Sequence, residues 1–122
     1  MTIALWCILI AGALPYAAFG FVKGLEPRQP RAGVQGLRGQ AARAYAAQLN
    51  GFETFPLFAA AVIVSHMVGG PSSATNILAV VYILLRVGHM AAYIGDRQPL
   101  RTTFFALAQT VAAVIFILPA FR

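Results

Sequence analysis

The sequence predicts an all-α integral membrane protein, one domain of residues 1–122 arranged as a four-helix bundle. Of the 122 residues, 60% are hydrophobic and only 10% are charged, whereas soluble domains carry about 25% charged residues. The apolar residues form four long runs separated by polar segments that contain glycine or proline. A membrane-spanning helix needs about 20 apolar residues, so four helices use about 80 and leave short loops.

The boundaries of each element follow from charge and from helix-breaking residues. Helices are predicted over residues 2–22, 41–68, 74–94 and 100–121. The first contains no charge and is expected to bend at Pro15. The basic loop 23–40 mixes arginine with proline and glycine, which keeps it among headgroups or in water. The short polar segments 69–73 and 95–99 make the two remaining turns.

The distribution of lysine and arginine predicts the orientation of the helices. The first loop carries Lys23, Arg28, Arg31 and Arg38, the third carries Arg97, and the second carries neither residue type. The positive-inside rule therefore places loops one and three in the cytoplasm and both termini outside. The expected location is a bacterial inner membrane. The net charge is +6, and the basic residues beside the helices are expected to contact anionic lipid. No nucleic-acid partner is predicted.

Polar side chains lie at membrane depth in the last three helices. An ionisable group there costs about 2.5–3.5 kcal/mol on insertion scales, so each one requires a specific role. They are Arg43, Gln48, Asn50 and Glu53 in the second helix, Arg86, His89 and Tyr93 in the third, and Arg101, Thr102 and Gln109 in the fourth. The first helix has no charged residue, so the polar groups are clustered and not scattered.

The spacing of these side chains predicts that they converge. At about 1.5 Å per residue, Glu53 and Arg86 lie about 15 Å and 13 Å from the cytoplasmic ends of their helices. At about 100° per residue, Arg43, Asn50 and Glu53 fall within roughly 80° on one face. The polar residues of the third helix fall within roughly 60° by the same spacing. Three polar stripes are therefore expected to face one site in the cytoplasmic half.

The same residues have a purely structural interpretation. Polar groups can hold membrane helices together at about 0.6–2 kcal/mol per hydrogen bond. Glu53 and Arg86 are then an ion pair, and His89 is a buried histidine with satisfied hydrogen bonds. Shared depth and shared faces favour the site. One histidine and one carboxylate are too few ligands for zinc, so no metal is predicted.

A cationic pocket with apolar walls suits a polar anion that meets a lipophilic molecule. A thiol ligand benefits most from such a pocket. Lowering the pKa of a thiol from about 8.5 to about 6.5 requires only about 2.7 kcal/mol of preference for the thiolate. One well-placed arginine in a poorly hydrated site can supply that preference.

Four segments resemble the MAPEG family, the membrane-associated proteins in eicosanoid and glutathione metabolism. The segment 43–58 is similar to the second-helix signature of that family and is the most specific part of the match. The segment 86–95 is similar to the third helix of its prostaglandin E synthase branch, and 99–101 and 106–109 extend the similarity into the fourth helix. With the four-helix layout, the resemblance covers nearly the whole chain.

The resemblance implies a homotrimer that binds glutathione between subunits near the cytoplasmic side. It also implies transferase or peroxidase chemistry on a lipophilic electrophile, with Arg101 stabilising the thiolate. Glu53 would lie near the glutathione amino group, and Asn50 would also hold the peptide. The residues implied to bind the co-substrate are Arg43, Asn50, Glu53, Arg86, His89, Tyr93 and Thr102.

Two positions depart from the family pattern. Ala46 stands where the second-helix pattern usually has another arginine, which removes a contact to a carboxylate. Phe105 stands where some members have a tyrosine that can donate to the thiolate. These departures keep a second hypothesis open, a non-catalytic relative that binds lipid or protein. A third hypothesis, a small proton-coupled exporter, is disfavoured because the first helix has no carboxylate.

Overall fold

The computed structural model of this chain describes residues 1–25 and 28–122. Four α-helices make up most of it: α1 (Ile3–Phe19), α2 (Gly39–Gly69), α3 (Ser73–Ile94) and α4 (Gln98–Ile117). Short 3₁₀ helices occupy Ala32–Gly36 and Leu118–Phe121, and no strand occurs in the described part of the chain. The predicted all-α, four-helix fold is confirmed. Residues 26 and 27, which belong to the predicted basic loop 23–40, lie outside the described residues.

Three of the helices are long and apolar enough to cross a membrane: α2, α3, and α4 with its 3₁₀ extension to Phe121. The 17-residue α1 is shorter and measures about 26 Å at 1.5 Å per residue, the lower limit for a span. It stops three residues before the predicted end at 22. After residue 19 the backbone hydrogen bonds join residues three apart, as in a 3₁₀ helix. The N–H groups of Gly20, Phe21 and Val22 donate to the carbonyls of Ala17, Ala18 and Phe19.

Alanines bring the helices into close contact. The largest buried cluster joins all four helices, and its alanines are Ala4, Ala11, Ala61, Ala79, Ala108 and Ala112. Small side chains let membrane helices approach closely, and the contact is stabilised by van der Waals packing. The rings of Phe58 and Tyr82 stack within this cluster, with centroids 3.9 Å apart. This core fixes α3 against α2 at the level where the polar residues begin.

Hydrogen bonds fix the start of α1 to the end of α2 and the start of α3. The Ala4 amide donates to Asn76 Oδ1 over 2.9 Å, and Thr2 Oγ1 lies 2.8 Å from His66 Nε2. In the structure the His66 ring joins α2 to the N-cap residue of α1, because its Nδ1 also lies 2.8 Å from the Val62 carbonyl. The polar groups at this end are therefore satisfied within the fold.

Candidate functional site

Five of the eight predicted site residues line one cavity of about 250 Å³ between α2, α3 and α4. Its lining, called the polar cavity below, consists of Asn50, His89, Tyr93, Arg101, Thr102 and Phe105. The C-terminal half of α3 meets the first turns of α4 here, because only a short loop joins the two helices. Residues far apart in sequence therefore converge at the third-loop end of the bundle.

Tyr93 determines where the Arg101 guanidinium lies. The Arg101 Cζ atom lies 4.3 Å from the centroid of the Tyr93 ring, a cation–π contact worth about 0.5–1 kcal/mol when exposed and more when desolvated. Arg101 is the fourth residue of α4, and its backbone N–H bonds to the Arg97 carbonyl within the first turn. The Arg101 guanidinium thus lies near the N-terminus of α4. The charge of the guanidinium and the partial positive charge of the helix N-terminus both favour an anion in the cavity.

The aromatic wall of the polar cavity is built around His89, which is only 2% exposed. The His89 ring meets Tyr93 edge-on at 5.6 Å and Phe105 at 6.2 Å between centroids. Its Nδ1 atom makes no hydrogen bond. A buried ring nitrogen without a partner is the group that a polar ligand can satisfy. Phe105 lines the cavity but was noted in the sequence only as a departure from the family pattern.

Arg86 lies behind the polar cavity and acts on it through Asn50. The Arg86 side chain is 5% exposed, and its Nη2 donates to Asn50 Oδ1 over 2.6 Å. Since that bond uses the oxygen of the Asn50 amide, the NH₂ group is left for the cavity. Arg86 Nη1 makes no hydrogen bond, and Arg86 also lines a separate gap of about 20 Å³. Arg86 therefore contacts the polar cavity only through its hydrogen bond to Asn50.

The polar cavity presents mainly hydrogen-bond donors. Thr102 Oγ1 accepts a bond from Gln98 Nε2 at 3.1 Å, so the Thr102 hydroxyl proton remains free to donate elsewhere. Together with the Asn50 amide and the Arg101 guanidinium, this makes a site suited to carboxylate or thiolate. In the described part of the chain, no group of histidine, cysteine and acidic side chains is arranged to hold a metal ion.

Besides Arg86, two predicted residues lie outside the polar cavity. Arg43 Nε donates to the Ile94 carbonyl over 3.1 Å, which satisfies the C-terminal end of α3. Glu53 is exposed on the outer surface of α2. The ion pair anticipated between Glu53 and Arg86 is not formed among the described residues. The two side chains are only about 60° apart around α2, but Asn50 contacts Arg86 while Glu53 points to the exposed surface.

The Arg86–Asn50 bond predicts a clear difference between two substitutions of Asn50. Asn50→Leu is expected to lower the stability of the protein by about 2–3 kcal/mol, because it leaves a buried cation without its acceptor. Asn50→Asp keeps an oxygen in the same place and adds an opposite charge, so it should retain the stability. Thermal unfolding in detergent measures both, and equal melting temperatures for the two variants would contradict the assignment.

Comparison with known proteins identifies the family of this chain. The model of the MAPEG family matches residues 3–121, which include all four helices. A comparison with curated proteins found no match. The matched range includes every residue of the polar cavity, so the family assignment applies to the part of the chain that carries the site.

Proposed function

This chain belongs to the MAPEG family, and on that premise we propose that it is an integral membrane enzyme that uses glutathione. Its reaction adds the glutathione thiolate to a lipophilic electrophile, or reduces a lipophilic hydroperoxide to the alcohol and water while two glutathione molecules are oxidised to the disulfide. The observation that supports this proposal is the position of the Arg101 guanidinium. It is held over Tyr93 at the edge of a cavity that presents donors.

Arg101 carries the chemical step of the proposal. Glutathione loses its S–H proton to water, and the guanidinium holds the sulfur as a thiolate. In the transferase reaction the sulfur lone pair forms the new bond to the electrophilic carbon as the leaving group departs with its electron pair. The N-terminal end of α4 adds a favourable field for the same negative charge.

The remaining residues of the polar cavity orient the tripeptide. Asn50 and Thr102 offer donors to the glutathione carboxylates and peptide carbonyls, and His89 and Tyr93 form the wall against which it packs. Arg86 acts through the hydrogen bond that fixes Asn50. Every residue of the polar cavity except Phe105 therefore has a role in holding glutathione or its thiolate.

Glu53 supports a homotrimer in this proposal. It is a carboxylate on an exposed, otherwise apolar surface of α2, next to the exposed ring of Phe52. A charge facing lipid at that depth costs about 2.5–3.5 kcal/mol, so burial against protein is favoured. A neighbouring copy of the chain would cover Glu53, and glutathione would place its amino group near it at the subunit boundary. Arg43 lies about 15 Å closer than Glu53 to the N-terminal end of α2, adjacent to the C-terminus of α3.

Thiol titration of bound glutathione tests the proposed function. The purified protein is mixed with glutathione, binding is measured by calorimetry, and thiolate is followed by its ultraviolet absorbance as pH rises. Saturable binding with the thiol pKa lowered by about two units supports the enzyme, since this is the shift one arginine can produce. Binding with an unchanged thiol pKa, or no binding, removes the mechanism.

Phe105 favours a second candidate function, a relative that binds lipid or protein without chemistry. Its ring contributes no hydroxyl to the polar cavity and packs against His89. In such a protein the polar cavity would hold an anionic ligand without activating a thiol. Bound glutathione with its ordinary thiol pKa is the result this alternative predicts.

We also propose that loops one and three face the cytoplasm of a bacterial cell, with both termini outside. The chain has one cysteine, the buried Cys7, so Cys7→Ser gives a background for cysteine labelling. Ser73→Cys is expected to react with a membrane-impermeant maleimide on intact cells, because Ser73 follows the uncharged second loop. Gln35→Cys, in the exposed part of the basic loop, should react only after permeabilisation. The reverse pattern would contradict the orientation.

A further inference from the structure

A second cavity, of about 300 Å³, lies where α1 ends and the basic loop packs against α2. We call it the loop cavity. Its polar lining is Arg31, Tyr45 and Gln48, and its apolar lining includes Phe19, Val34 and Phe52. It has no residue in common with the polar cavity, and its residues are not used by the proposed glutathione chemistry.

Gln48 is the feature of the loop cavity that the fold does not explain. The Gln48 side chain is 8% exposed, and it makes no hydrogen bond to any described residue. Its amide atoms are not among the fully buried polar atoms that lack a partner, so the amide remains accessible from the cavity. A polar ligand in the loop cavity would satisfy this amide.

Arg31 gives the loop cavity its charge. The residue precedes the 3₁₀ helix Ala32–Gly36, but its side chain makes no capping hydrogen bond there. Arg31 is exposed, so its guanidinium is available to a ligand. Lys23 and Arg38 belong to the same loop, and no acidic side chain among the described residues lines the cavity. The expected ligand group is therefore an anion.

The rest of the loop cavity is apolar and lies at the edge of the hydrophobic helices. Phe19 is the last residue of α1, and Phe52 lies on α2 in edge contact with Tyr16, their centroids 5.4 Å apart. Tyr16 and Phe52 are both exposed, and they extend an apolar surface from the cavity along α1 and α2. A small free anion would leave this surface uncovered. An amphiphile with an anionic head covers both parts.

We propose that the loop cavity binds an anionic glycerophospholipid. The phosphate would accept hydrogen bonds from Arg31, and the Gln48 amide and Tyr45 hydroxyl would bond to the phosphate or the glycerol esters. The acyl chains would lie along the apolar surface that includes Tyr16 and Phe52. This inference requires neither glutathione nor the polar cavity. Because Phe52 is next to Glu53, the lipid would lie beside the surface that the proposed homotrimer covers.

Native mass spectrometry of the detergent-solubilised full chain tests the lipid site. The probes are phosphatidylglycerol and phosphatidylcholine with identical acyl chains. The expected result is at least fivefold tighter binding of phosphatidylglycerol. Arg31→Gln and Gln48→Leu are each expected to weaken that binding about tenfold, since each removes hydrogen bonds to a charged or buried polar group.

Arg97→Gln is the matched control for the change in charge. It removes one arginine from the third loop, where the residue precedes α4 without a side-chain cap bond and lies outside the loop cavity. Its affinity for phosphatidylglycerol should change less than twofold. An equal loss in Arg97→Gln, or equal binding of the two lipids, would overturn the proposal, because attraction would then be unspecific. Displacement of the lipid by inorganic phosphate would overturn the role of the acyl chains.

Thermal unfolding separates lipid binding from folding. Gln48→Leu in lipid-free detergent should melt no lower than the unsubstituted protein, because Gln48 has no hydrogen-bond partner to lose among the described residues. Added phosphatidylglycerol should raise the melting temperature of the unsubstituted protein but not that of Arg31→Gln. Since Arg31 is exposed, its variant is expected to fold and provides a complete test alone. Equal stabilisation of both proteins would contradict the site.

Discussion

Arg101→Ala is expected to reduce glutathione-dependent turnover by about a hundredfold or more, the usual effect of removing a group that stabilises developing negative charge. The guanidinium beside Tyr93 is the only cation that lines the polar cavity in the described part of the chain. Without it, glutathione at neutral pH stays largely a thiol. Steady-state kinetics with an aryl halide electrophile measure the loss in kcat/KM.

The pH dependence of the Arg101→Ala defect separates catalysis from folding. With arginine present, the thiol pKa of bound glutathione is lowered, so thiolate is already abundant at pH 7. Without arginine, thiolate forms only as pH approaches the ordinary thiol value of about 8.5, and the defect should shrink as pH rises through that value. A defect of constant size from pH 6 to pH 9 would contradict the role of Arg101.

Two variants serve as controls for this experiment. Arg97→Ala removes an arginine one helical turn earlier, outside the polar cavity, and should leave turnover within about twofold, as is usual for exposed positions. Arg101→Lys retains the charge but loses the planar guanidinium that stacks on Tyr93. Its turnover is expected to fall between those of the unsubstituted protein and Arg101→Ala. An Arg97→Ala loss equal to that of Arg101→Ala would point to net charge instead.

Hydropathy and turn residues predicted the fold closely, because each helix is bounded by features visible in sequence. The polar turn before α3 contains Ser72, whose hydroxyl accepts from the Thr75 amide as an N-cap. The end of α1 was predicted three residues late. Its last residues are as apolar as the helix itself, so composition gave no signal where the hydrogen bonding changes. Helix ends of this kind depend on backbone geometry that hydropathy does not encode.

The candidate site was predicted in part. The depth of a residue along a helix follows from its position in the sequence, but the direction of its side chain around the axis is harder to predict. The predicted depths placed Arg86 level with Glu53, but Arg86 bonds to Asn50, about one helical turn closer to the start of α2. The prediction placed Glu53 and Asn50 on one face of the second helix. In the structure Asn50 contacts Arg86, whereas Glu53 is exposed on the outer surface. The contact between Arg101 and Tyr93 depends on how α4 packs on α3, and no pattern within one helix encodes that.

The loop cavity was not predicted at all, although each of its polar residues was visible. Gln48 was grouped with the other polar residues of the second helix, and Arg31 was assigned to a basic loop that sets orientation. Their proximity arises because the loop folds back on α2 beside the end of α1. A contact between an irregular segment and a helix has no periodicity, so it becomes visible only in three dimensions.

Gly51→Ala is expected to destabilise the protein by about 1–3 kcal/mol, the usual cost of inserting a carbon into a packed interface. A Cβ atom at Gly51 would lie 2.6 Å from Pro15 Cγ and 3.2 Å from Pro15 Cβ. The proline ring is rigid and sits inside α1, so α1 and α2 must separate to make room. Thermal unfolding in detergent measures the loss. Gly36→Ala, with no atom within 4 Å of the new carbon, is the matched control and should lose less than about 0.5 kcal/mol.

A double-mutant cycle shows whether the Pro15–Gly51 contact is responsible. Removing the ring with Pro15→Ala should allow Gly51→Ala to be accommodated, so the two changes together should cost at least about 1 kcal/mol less than the sum of each alone. Additive losses would mean that Gly51 matters for a different reason. Because Asn50 adjoins Gly51, moving α2 away from α1 should also displace the acceptor of Arg86. Gly51→Ala is therefore expected to weaken glutathione binding, and the Pro15→Ala background should restore it along with the stability.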